Sequence, residues 1–345
     1  MKKIRILSID GGGIRGILPG TILTYIEKQL QKKDKSQLKI GDYFDLVAGT
    51  STGGILSCIY LCPNENGTAR YSAADALDLY LNNGGDIFHT GLLENLSRGF
   101  GLFDEKYSVK ALERELKKFF GDNNLDEFIK PCLITSYEIT ERNAHFFTSI
   151  DAKCDAMYNF KVHDVARATS AAPTYFEPAS INSLAQQQFS LIDGGLFANN
   201  PALCAYAEAR KIKFSEALKT TEKPDEPTAK DMVIVSIGTG SVKKPYHYKK
   251  FKNAGELTWI NPIIDILMSA NAETVHYQVT QMYKTLSGGD EKNYYRLEPS
   301  LREAFSEMDY AGEDNLVNLH QAGLWYINKN KVLLDEIVDK LLDNK

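Results

Sequence analysis

The sequence predicts an α/β fold in which a mostly parallel central sheet is flanked by helices. Short apolar runs alternate along the chain with segments of helical periodicity, an alternation typical of layered α/β proteins. Glycine-rich turns follow several of the apolar runs, where predicted strands lead into predicted helices. The chain has 345 residues, 43% hydrophobic and 25% charged, so it is too apolar to be disordered and long enough to bury a large core.

The predicted elements follow one another in a regular order. The apolar run at residues 4–9 is the first strand, and residues 16–31 carry apolar side chains at helical spacing. Further strands are predicted at 43–48, 132–137, 144–148, 189–193 and 232–237. Further helices are predicted at 53–61 and 162–172, and another begins at Asn200-Pro201. The polar, proline-containing stretch 219–231 is predicted to be a surface loop.

Composition excludes several classes of protein. Forty basic and forty-five acidic residues give a net charge of −5, so no broad basic field is available for a nucleic acid polymer. Five widely spaced cysteines do not make a disulfide framework, which favours a reducing compartment. No apolar run reaches the length of about 20 residues that a membrane span requires, and no signal peptide is predicted. We therefore expect a cytoplasmic location.

The motif Gly49-Thr50-Ser51-Thr52-Gly53 matches the G-x-S-x-G pattern of a nucleophile elbow. It follows a predicted strand and opens a predicted helix, which is the context in which this pattern presents a reactive serine. Small residues at both ends permit a tight turn, and the helix N-terminus offers N–H groups to developing negative charge. We interpret Ser51 as the nucleophile, the alternative being an ordinary turn.

A serine hydroxyl needs a base within hydrogen-bonding reach, and the six histidines are the first residues to consider. None of them stands at a glycine turn after a predicted strand, and His276 has the spacing of a residue packed on a helix. Asp193 ends an apolar run and directly precedes Gly194-Gly195. Asp193 is the better candidate base, although aspartate before glycine is also common in a plain turn.

A third motif, at residues 10–16, places three consecutive glycines after the first predicted strand. The N–H groups of Gly11, Gly12 and Gly13 would be accessible there, as an oxyanion hole requires. The same segment matches the G-x-G-x-x-G pattern of dinucleotide-binding loops. That pattern expects a second strand ending in an acidic residue about 20 positions later, whereas this sequence stays helical to about residue 31 and then becomes polar. The oxyanion interpretation is therefore favoured.

Together the three motifs resemble those of the patatin-like phospholipase family, and they occur in the order that the family has. They are the glycine-rich loop at 10–16, the serine elbow at 49–53 and the aspartate turn at 193–195. Further segments resemble the plant patatins, so the resemblance extends from residue 4 to about residue 314. These segments are Asp42-Tyr-Phe-Asp45, Pro63-Asn-Glu-Asn66, Thr169-Ser-Ala-Ala-Pro-Thr-Tyr-Phe176, Ser236-Ile-Gly-Thr-Gly240 and Asn293-Tyr-Tyr-Arg-Leu297.

The resemblance implies a Ser–Asp catalytic dyad within a patatin-like three-layer fold. Ser51 would attack an ester carbonyl while Asp193 takes its proton, and the same aspartate would then activate the water that hydrolyses the acyl-enzyme. The N–H groups of Gly11, Gly12 and Gly13 would hold the oxyanion.

Two further residues have supporting roles by this resemblance, and no cofactor is required. Arg15 would support the glycine loop, and Asp10 would fix that loop structurally. The chemistry needs neither a metal ion nor an organic cofactor. The expected organisation is a single catalytic domain over residues 1–345 with its core at about 4–314, and the expected substrates are fatty acyl esters of phospholipids and other glycerolipids.

The expected partner is a phospholipid membrane surface, at which the protein would act peripherally. The net negative charge argues against purely electrostatic attachment, so the apolar stretch 84–103 is interpreted as a lid or a membrane-facing segment, the alternative being a flap that packs on the core. Some compact bacterial members of the family are antiphage-defence effectors switched on by a cyclic nucleotide, and the length of this chain is compatible with that role. No segment of the sequence identifies a nucleotide pocket, and a homo-oligomer is a further expectation.

Two alternatives remain open on the sequence. One is an α/β hydrolase esterase with a histidine base, for which His276 and His320 are the residues to test. The other is a ligand-binding or storage relative with a vestigial site, against which the presence of all three motifs argues.

Overall fold

The structure is a computed structural model that describes residues 1–88, 109–240 and 245–345. Eight strands in this part of the chain form one sheet. The strands are β1 (Ile4–Ile9), β2 (Leu46–Thr50), β3 (Cys132–Glu138), β4 (Asn143–Thr148), β5 (Ala179–Asn182), β6 (Gln188–Asp193), β7 (Met232–Ile237) and β8 (Tyr294–Leu297). Their order is β5-β6-β3-β2-β1-β7-β8, and β4 pairs with β3 beside that path.

The centre of the sheet is parallel. β1 pairs in parallel with β2 and β7, and the β2–β3 and β7–β8 pairs are parallel as well. Every residue of β1, β2 and β7 is buried, as expected for strands that are covered on both faces. The predicted α/β class with a mostly parallel central sheet is confirmed.

Helices form a layer on each face of the sheet. The described helices are α1 (Ile17–Asp34), α2 (Thr52–Leu61), α3 (Ala73–Phe88), α4 (Val109–Phe120), α5 (Ser149–Cys154), α6 (Val162–Thr169), α7 (Gly195–Ala198), α8 (Ala202–Ala209), α9 (Phe214–Ala217), α10 (Tyr248–Phe251), α11 (Glu256–Lys284), α12 (Glu313–Lys329) and α13 (Lys331–Asp343). Among these described helices, none is long and apolar enough to cross a lipid bilayer.

Successive residues of β1 enter two different hydrophobic cores because strand side chains alternate between faces. Leu7 and Ile9 belong to a core with residues of α1, α2, α12 and α13. Ile4 and Ile6 belong to a second core with residues of α8 and α11. The sheet therefore lies between two helical layers, which confirms the expected three-layer arrangement.

β3 is the strand that brings two distant segments together. Its antiparallel partner β4 pairs with residues 133–138 along one edge. β2 pairs with residues 132–135 of β3, and β6 pairs with residues 136–138. A given stretch of one strand edge can pair with only one other strand, so β2 and β6 must lie end to end along the edge that β4 leaves open. β2 ends at Thr50, opposite Thr135, and β6 ends at Asp193, opposite Ser136. The ends of these two strands therefore meet.

Some predicted boundaries differ from the structure. The strand predicted at 43–48 begins at Leu46, because Ile40–Tyr43 forms a short 3-10 turn in which the Asp42 carboxylate accepts from the Lys39 N–H. The helix predicted at 162–172 ends at Thr169, and the chain then turns: the Ala171 N–H donates to the Ala168 carbonyl and the Ala172 N–H to the Ser170 carbonyl. Residues 89–103 of the predicted lid or membrane-facing segment lie outside the described residues.

Candidate active site

Ser51 occupies a sharp turn between β2 and α2. Its backbone angles are φ 55° and ψ −123°, a conformation that few residues with a side chain adopt. The glycines on either side have no room for a side chain. A Cβ on Gly49 would lie 2.2 Å from the Gly53 carbonyl oxygen, and a Cβ on Gly53 would lie 2.2 Å from the Ile9 carbonyl oxygen. Close backbone contacts therefore explain both glycines of the motif.

A pair of buried threonines holds this turn in place. The Ser51 N–H donates to the Thr169 hydroxyl at 2.9 Å, and that hydroxyl donates to the Thr135 carbonyl oxygen at 2.6 Å. Both threonine side chains are completely buried. The strained backbone of Ser51 is thus fixed from α6 and β3, neither of which is adjacent to it in the sequence.

Asp193 is the base candidate that the structure places beside Ser51. Both side chains line the same cavity, and Asp193 Oδ1 accepts from the Gly195 N–H at 2.7 Å. Asp193 is only 3% exposed. Burial raises its pKa to about 6, although the hydrogen bonds from Ser51 and Gly195 lower it in part. The carboxylate is therefore ionised at neutral pH and more basic than an exposed aspartate.

The glycine loop lies over Ser51, but its three N–H groups are not equivalent. The Gly11 N–H donates to the Asn199 carbonyl oxygen at 3.1 Å, and the Gly11 carbonyl accepts from the Thr239 hydroxyl at 2.7 Å. A Cβ on Gly11 would lie 3.2 Å from the Ser51 Cβ, which shows how closely the loop approaches the nucleophile. The Gly11 N–H is therefore already occupied and anchors the loop. Of the three oxyanion donors expected at Gly11, Gly12 and Gly13, only the N–H groups of Gly12 and Gly13 remain candidates.

Two charged residues hold the glycine loop from outside. Arg15 is half-buried, and its Nε donates to the Gly12 carbonyl oxygen at 3.3 Å. Asp10 is buried and accepts two hydrogen bonds from Arg296, at 2.8 Å and 2.6 Å. Burial alone would lower the pKa of Arg296, but the Asp10 carboxylate outweighs it and raises this pKa. Asp10 thus ties the end of β1 to β8.

Ser51 and Asp193 line a cavity whose other walls are mostly apolar. The apolar side chains come from helices on several sides and from the turn that follows α6. They include Ile55, Leu79, Leu116, Phe176, Ile264 and Met268. A cavity of this composition suits an acyl chain, because apolar surface is best buried against apolar surface.

None of the described histidines lines this cavity. His276 is exposed on α11, where its Nδ1 forms a hydrogen bond of 3.2 Å with the Tyr294 hydroxyl. His320 lies on α12, and burial lowers its pKa. His145 packs against phenylalanines, and burial lowers its pKa to about 4. His89 lies outside the described residues. The described part of the chain thus offers Asp193, and no histidine, as the base for Ser51.

Within the described residues, no group of three or more histidine, cysteine, aspartate or glutamate side chains is arranged to hold a metal ion.

Sequence comparison identifies the family. The sequence model of patatin-like phospholipases matches residues 7–206. The chain is also 34% identical over 360 residues to Patatin-like protein 1 of Arabidopsis thaliana, across 99% of this chain and 84% of that protein. The chain belongs to the patatin-like phospholipase family. Membership in this family makes it a lipid acyl hydrolase.

Two other comparisons differ in strength. Patatin-like protein 2 of Oryza sativa subsp. indica is 34% identical over 352 residues, across 97% of this chain and 86% of that protein. The crystal structure of VipD from Legionella pneumophila matches with a TM-score of 0.35 and 10% identity, across 95% of this chain and 67% of that one. A structural similarity at that level does not establish a shared fold, so the family assignment rests on sequence.

The patatin-like site also uses residues to which the sequence analysis gave no role. They are Thr169, Asn199, Thr239 and Arg296, which hold the elbow and the glycine loop. Three of them, Thr169, Thr239 and Arg296, lie in segments that resemble the plant patatins. That resemblance was the only indication in the sequence that these residues have a role. Asn199 acts through its backbone carbonyl, which no side-chain pattern indicates.

Proposed function

We propose that this protein releases fatty acids from membrane phospholipids through a dyad of Ser51 and Asp193. The placement of these two side chains together at an apolar cavity, with Asp193 almost fully buried, is the observation that carries the proposal. A serine becomes a useful nucleophile when a base accepts its proton during attack. The raised pKa of Asp193, about 6, makes its carboxylate suited to that task near neutral pH.

The reaction starts when the Ser51 oxygen forms a bond to the ester carbonyl carbon and its proton passes to Asp193. The carbonyl oxygen becomes negatively charged, and the N–H groups of Gly12 and Gly13 donate to it. The N-terminal end of α2 adds a favourable dipole. The ester C–O bond then breaks, and the alcohol leaves with the proton from Asp193, which yields an acyl-enzyme.

The second half of the cycle uses water. Asp193 takes a proton from a water molecule as the water oxygen attacks the acyl-enzyme carbonyl. The bond between the Ser51 oxygen and the acyl carbon breaks, and the proton on Asp193 returns to Ser51. The products are a free fatty acid and the original enzyme, so the aspartate acts in turn as base and acid.

The test is fatty-acid release from vesicles of phosphatidylcholine and phosphatidylglycerol. We expect Ser51→Ala and Asp193→Ala each to lower the rate by at least about a thousandfold, because both act in one proton transfer. Ser180→Ala and Asp122→Ala, which alter exposed residues away from the cavity, should retain the wild-type rate. Thermal unfolding of each variant shows whether the fold is intact. A folded Asp193→Ala variant with more than about a tenth of the wild-type rate would contradict the dyad.

The length of the chain is compatible with the cyclic-nucleotide-activated antiphage effectors among bacterial members of the family, and activation and defence both stay predictions. The same assay tests activation when it is repeated with a panel of cyclic di- and trinucleotides. Release that requires a nucleotide would support a switched effector, whereas equal release with and without nucleotides would contradict it. The cytoplasmic location and the homo-oligomer likewise stay predictions.

A further inference from the structure

The first half of α11 is apolar on two different sides. Ile264 and Met268 line the active-site cavity. Ile263, Ile266 and Leu267 lie on other sides of the same turns and are 45%, 39% and 44% exposed. A surface helix normally keeps one polar side towards solvent. The exposed apolar side chains of α11 therefore call for an explanation beyond the packing of the core.

These exposed side chains form one stripe along the helix. Trp259, Ile263, Ile266, Leu267 and Tyr277 are spaced so that they fall on one side of an α-helix. Trp259 is half-buried, and Tyr277 is 65% exposed. Exposed apolar side chains grouped within two turns of one helix side, as at 263–267, mark an interaction site.

The segment before α11 adds aromatic side chains to the stripe. The rings of Phe251 and Trp259 are 4.7 Å apart, and the ring of Tyr246 is 5.3 Å from that of Phe251. The Tyr246 hydroxyl donates to the Asp265 carboxylate at 2.8 Å. Tyr248, which follows in α10, is 74% exposed. The segment is thus attached to the helix through its aromatic side chains.

The same segment is locally basic in an acidic protein. Residues 246–252 contain three lysines and no acidic residue, whereas the whole chain has a net charge of −5. Lys249 and Lys252 are both exposed. Lysines beside exposed tyrosine and isoleucine and a half-buried tryptophan match the chemistry of an anionic bilayer surface, where aromatic rings occupy the headgroup region and lysines pair with lipid phosphates.

We propose that residues 246–252 and the exposed stripe of α11 at 259–267 form a docking surface for bilayers that contain anionic phospholipid. The proposal rests on the proposed function, because it supplies the route by which a phospholipid reaches Ser51. The helix that carries the stripe also contributes Ile264 and Met268 to the cavity wall, so a bilayer bound to the stripe adjoins that wall. A symmetric dimer through this same face would bring its lysines close to one another, so charge and position favour a lipid surface over a second copy of this chain.

Vesicle binding tests the docking surface directly. We would use Ser51→Ala protein, which leaves the lipids intact, with vesicles of phosphatidylcholine alone or mixed with phosphatidylglycerol. Ile263→Gln/Leu267→Gln should weaken binding to both vesicles by about tenfold or more, since two apolar side chains are lost. Lys249→Glu/Lys252→Glu should weaken binding by a similar factor only to vesicles with phosphatidylglycerol.

Matched controls place the same changes elsewhere. Val317→Gln/Val332→Gln replaces two apolar residues that are 58% and 84% exposed on α12 and α13. Lys28→Glu/Lys32→Glu reverses two exposed lysines on α1. Both control variants should bind vesicles as the Ser51→Ala protein does. Equal loss of binding in a control and in its matched docking variant would overturn the proposal, because the effect would then not belong to this surface.

A water-soluble short-chain ester separates docking from catalysis. For this test the two pairs of docking substitutions are made in the active enzyme, which keeps Ser51. Both docking variants should then hydrolyse the soluble ester at the wild-type rate but release less fatty acid from vesicles. If the wild type binds vesicles through this surface but hydrolyses neither substrate, the proposed function fails while docking is supported. If the docking variants bind vesicles as tightly as the wild type, docking is overturned. Dissociation of an oligomer by Ile263→Gln/Leu267→Gln, with unchanged vesicle binding, would instead identify a subunit interface.

Discussion

The carboxyl group of Asp193 sits in a pocket that excludes nearly all solvent, and burial is the main cause of its pKa of about 6. The proposed mechanism needs the ionised form. We expect kcat/KM for a soluble ester to be constant above pH 7 and to fall about tenfold per pH unit below pH 6. A pH–rate profile without a transition near pH 6 would contradict this role for Asp193.

The same pKa shift means that ionised Asp193 lowers the free energy of unfolding. Its folded pKa of about 6 exceeds the ordinary value of 3.8, so the native state binds the proton more tightly than the unfolded state. Asp193→Asn should therefore raise the free energy of unfolding by up to about 3 kcal/mol above pH 6, and most of the gain should disappear as the pH falls towards 4. Denaturant unfolding at pH 8 and pH 4 measures both values. A gain in stability that is the same at both pH values would refute the electrostatic explanation.

At the scale of elements, the end of β1 depends on β8. Asp10 and Arg296 are 10% exposed or less and share two hydrogen bonds across 286 positions of the sequence. Arg296 also donates to the Ser236 hydroxyl of β7 at 2.9 Å. One guanidinium therefore connects three strands at the edge where the glycine loop begins.

Removing that guanidinium should destabilise the sheet edge. Arg296→Gln leaves the Asp10 carboxylate buried without a cationic partner, and we expect a loss of about 3 kcal/mol in the free energy of unfolding. Asp10→Asn combined with Arg296→Gln should recover part of that loss, because the buried charge is then gone as well. Urea unfolding of the single and double variants provides the measurement. A double variant less stable than Arg296→Gln alone would argue against this explanation.

At the scale of the whole molecule, a buried charge cluster joins both ends of the chain. Asp45 accepts two hydrogen bonds from the Arg5 side chain and one from Lys223 at 2.7 Å. Lys223 also donates to the carbonyl oxygens of Lys3 and Asn344, at 2.7 Å and 2.6 Å. The stretch 219–231, predicted to be a surface loop, therefore sends one lysine into the interior. Burial would raise the pKa of Asp45, but Arg5 and Lys223 lower it below its usual value.

Neutralising Asp45 should destabilise the entire protein. Asp45→Asn leaves the cations of Arg5 and Lys223 buried without a carboxylate, for which we expect a loss of about 3–5 kcal/mol. Asp45 lies just before β2 begins, whereas Ser51 lies just after β2 ends. We therefore expect the Asp45→Asn variant to react with a fluorophosphonate at Ser51 as the wild type does, at temperatures below its own unfolding temperature. Thermal unfolding together with labelling separates the two effects. A loss of stability below about 1 kcal/mol would contradict this role for the cluster.

The nucleophile, the base and the fold class could be predicted because each leaves a local pattern in the sequence. Ser51 stands in a turn whose glycines are required by contacts a few residues away, and the strands are apolar because both of their faces are buried. The local pattern at Asp193 is less specific, since aspartate before glycine also occurs in plain turns. The family resemblance distinguished those two interpretations.

The sequence by itself therefore determined the family, the α/β class and the residues for which local geometry demands a particular side chain. Only the tertiary structure decided that β3 brings the ends of β2 and β6 together, and that the Gly11 N–H is already bonded to Asn199. It also decided that Thr239 reaches the Gly11 carbonyl across 228 positions. The physical reason is that such pairs depend on strand order and edge pairing, which periodicity and motif spacing along the chain do not encode.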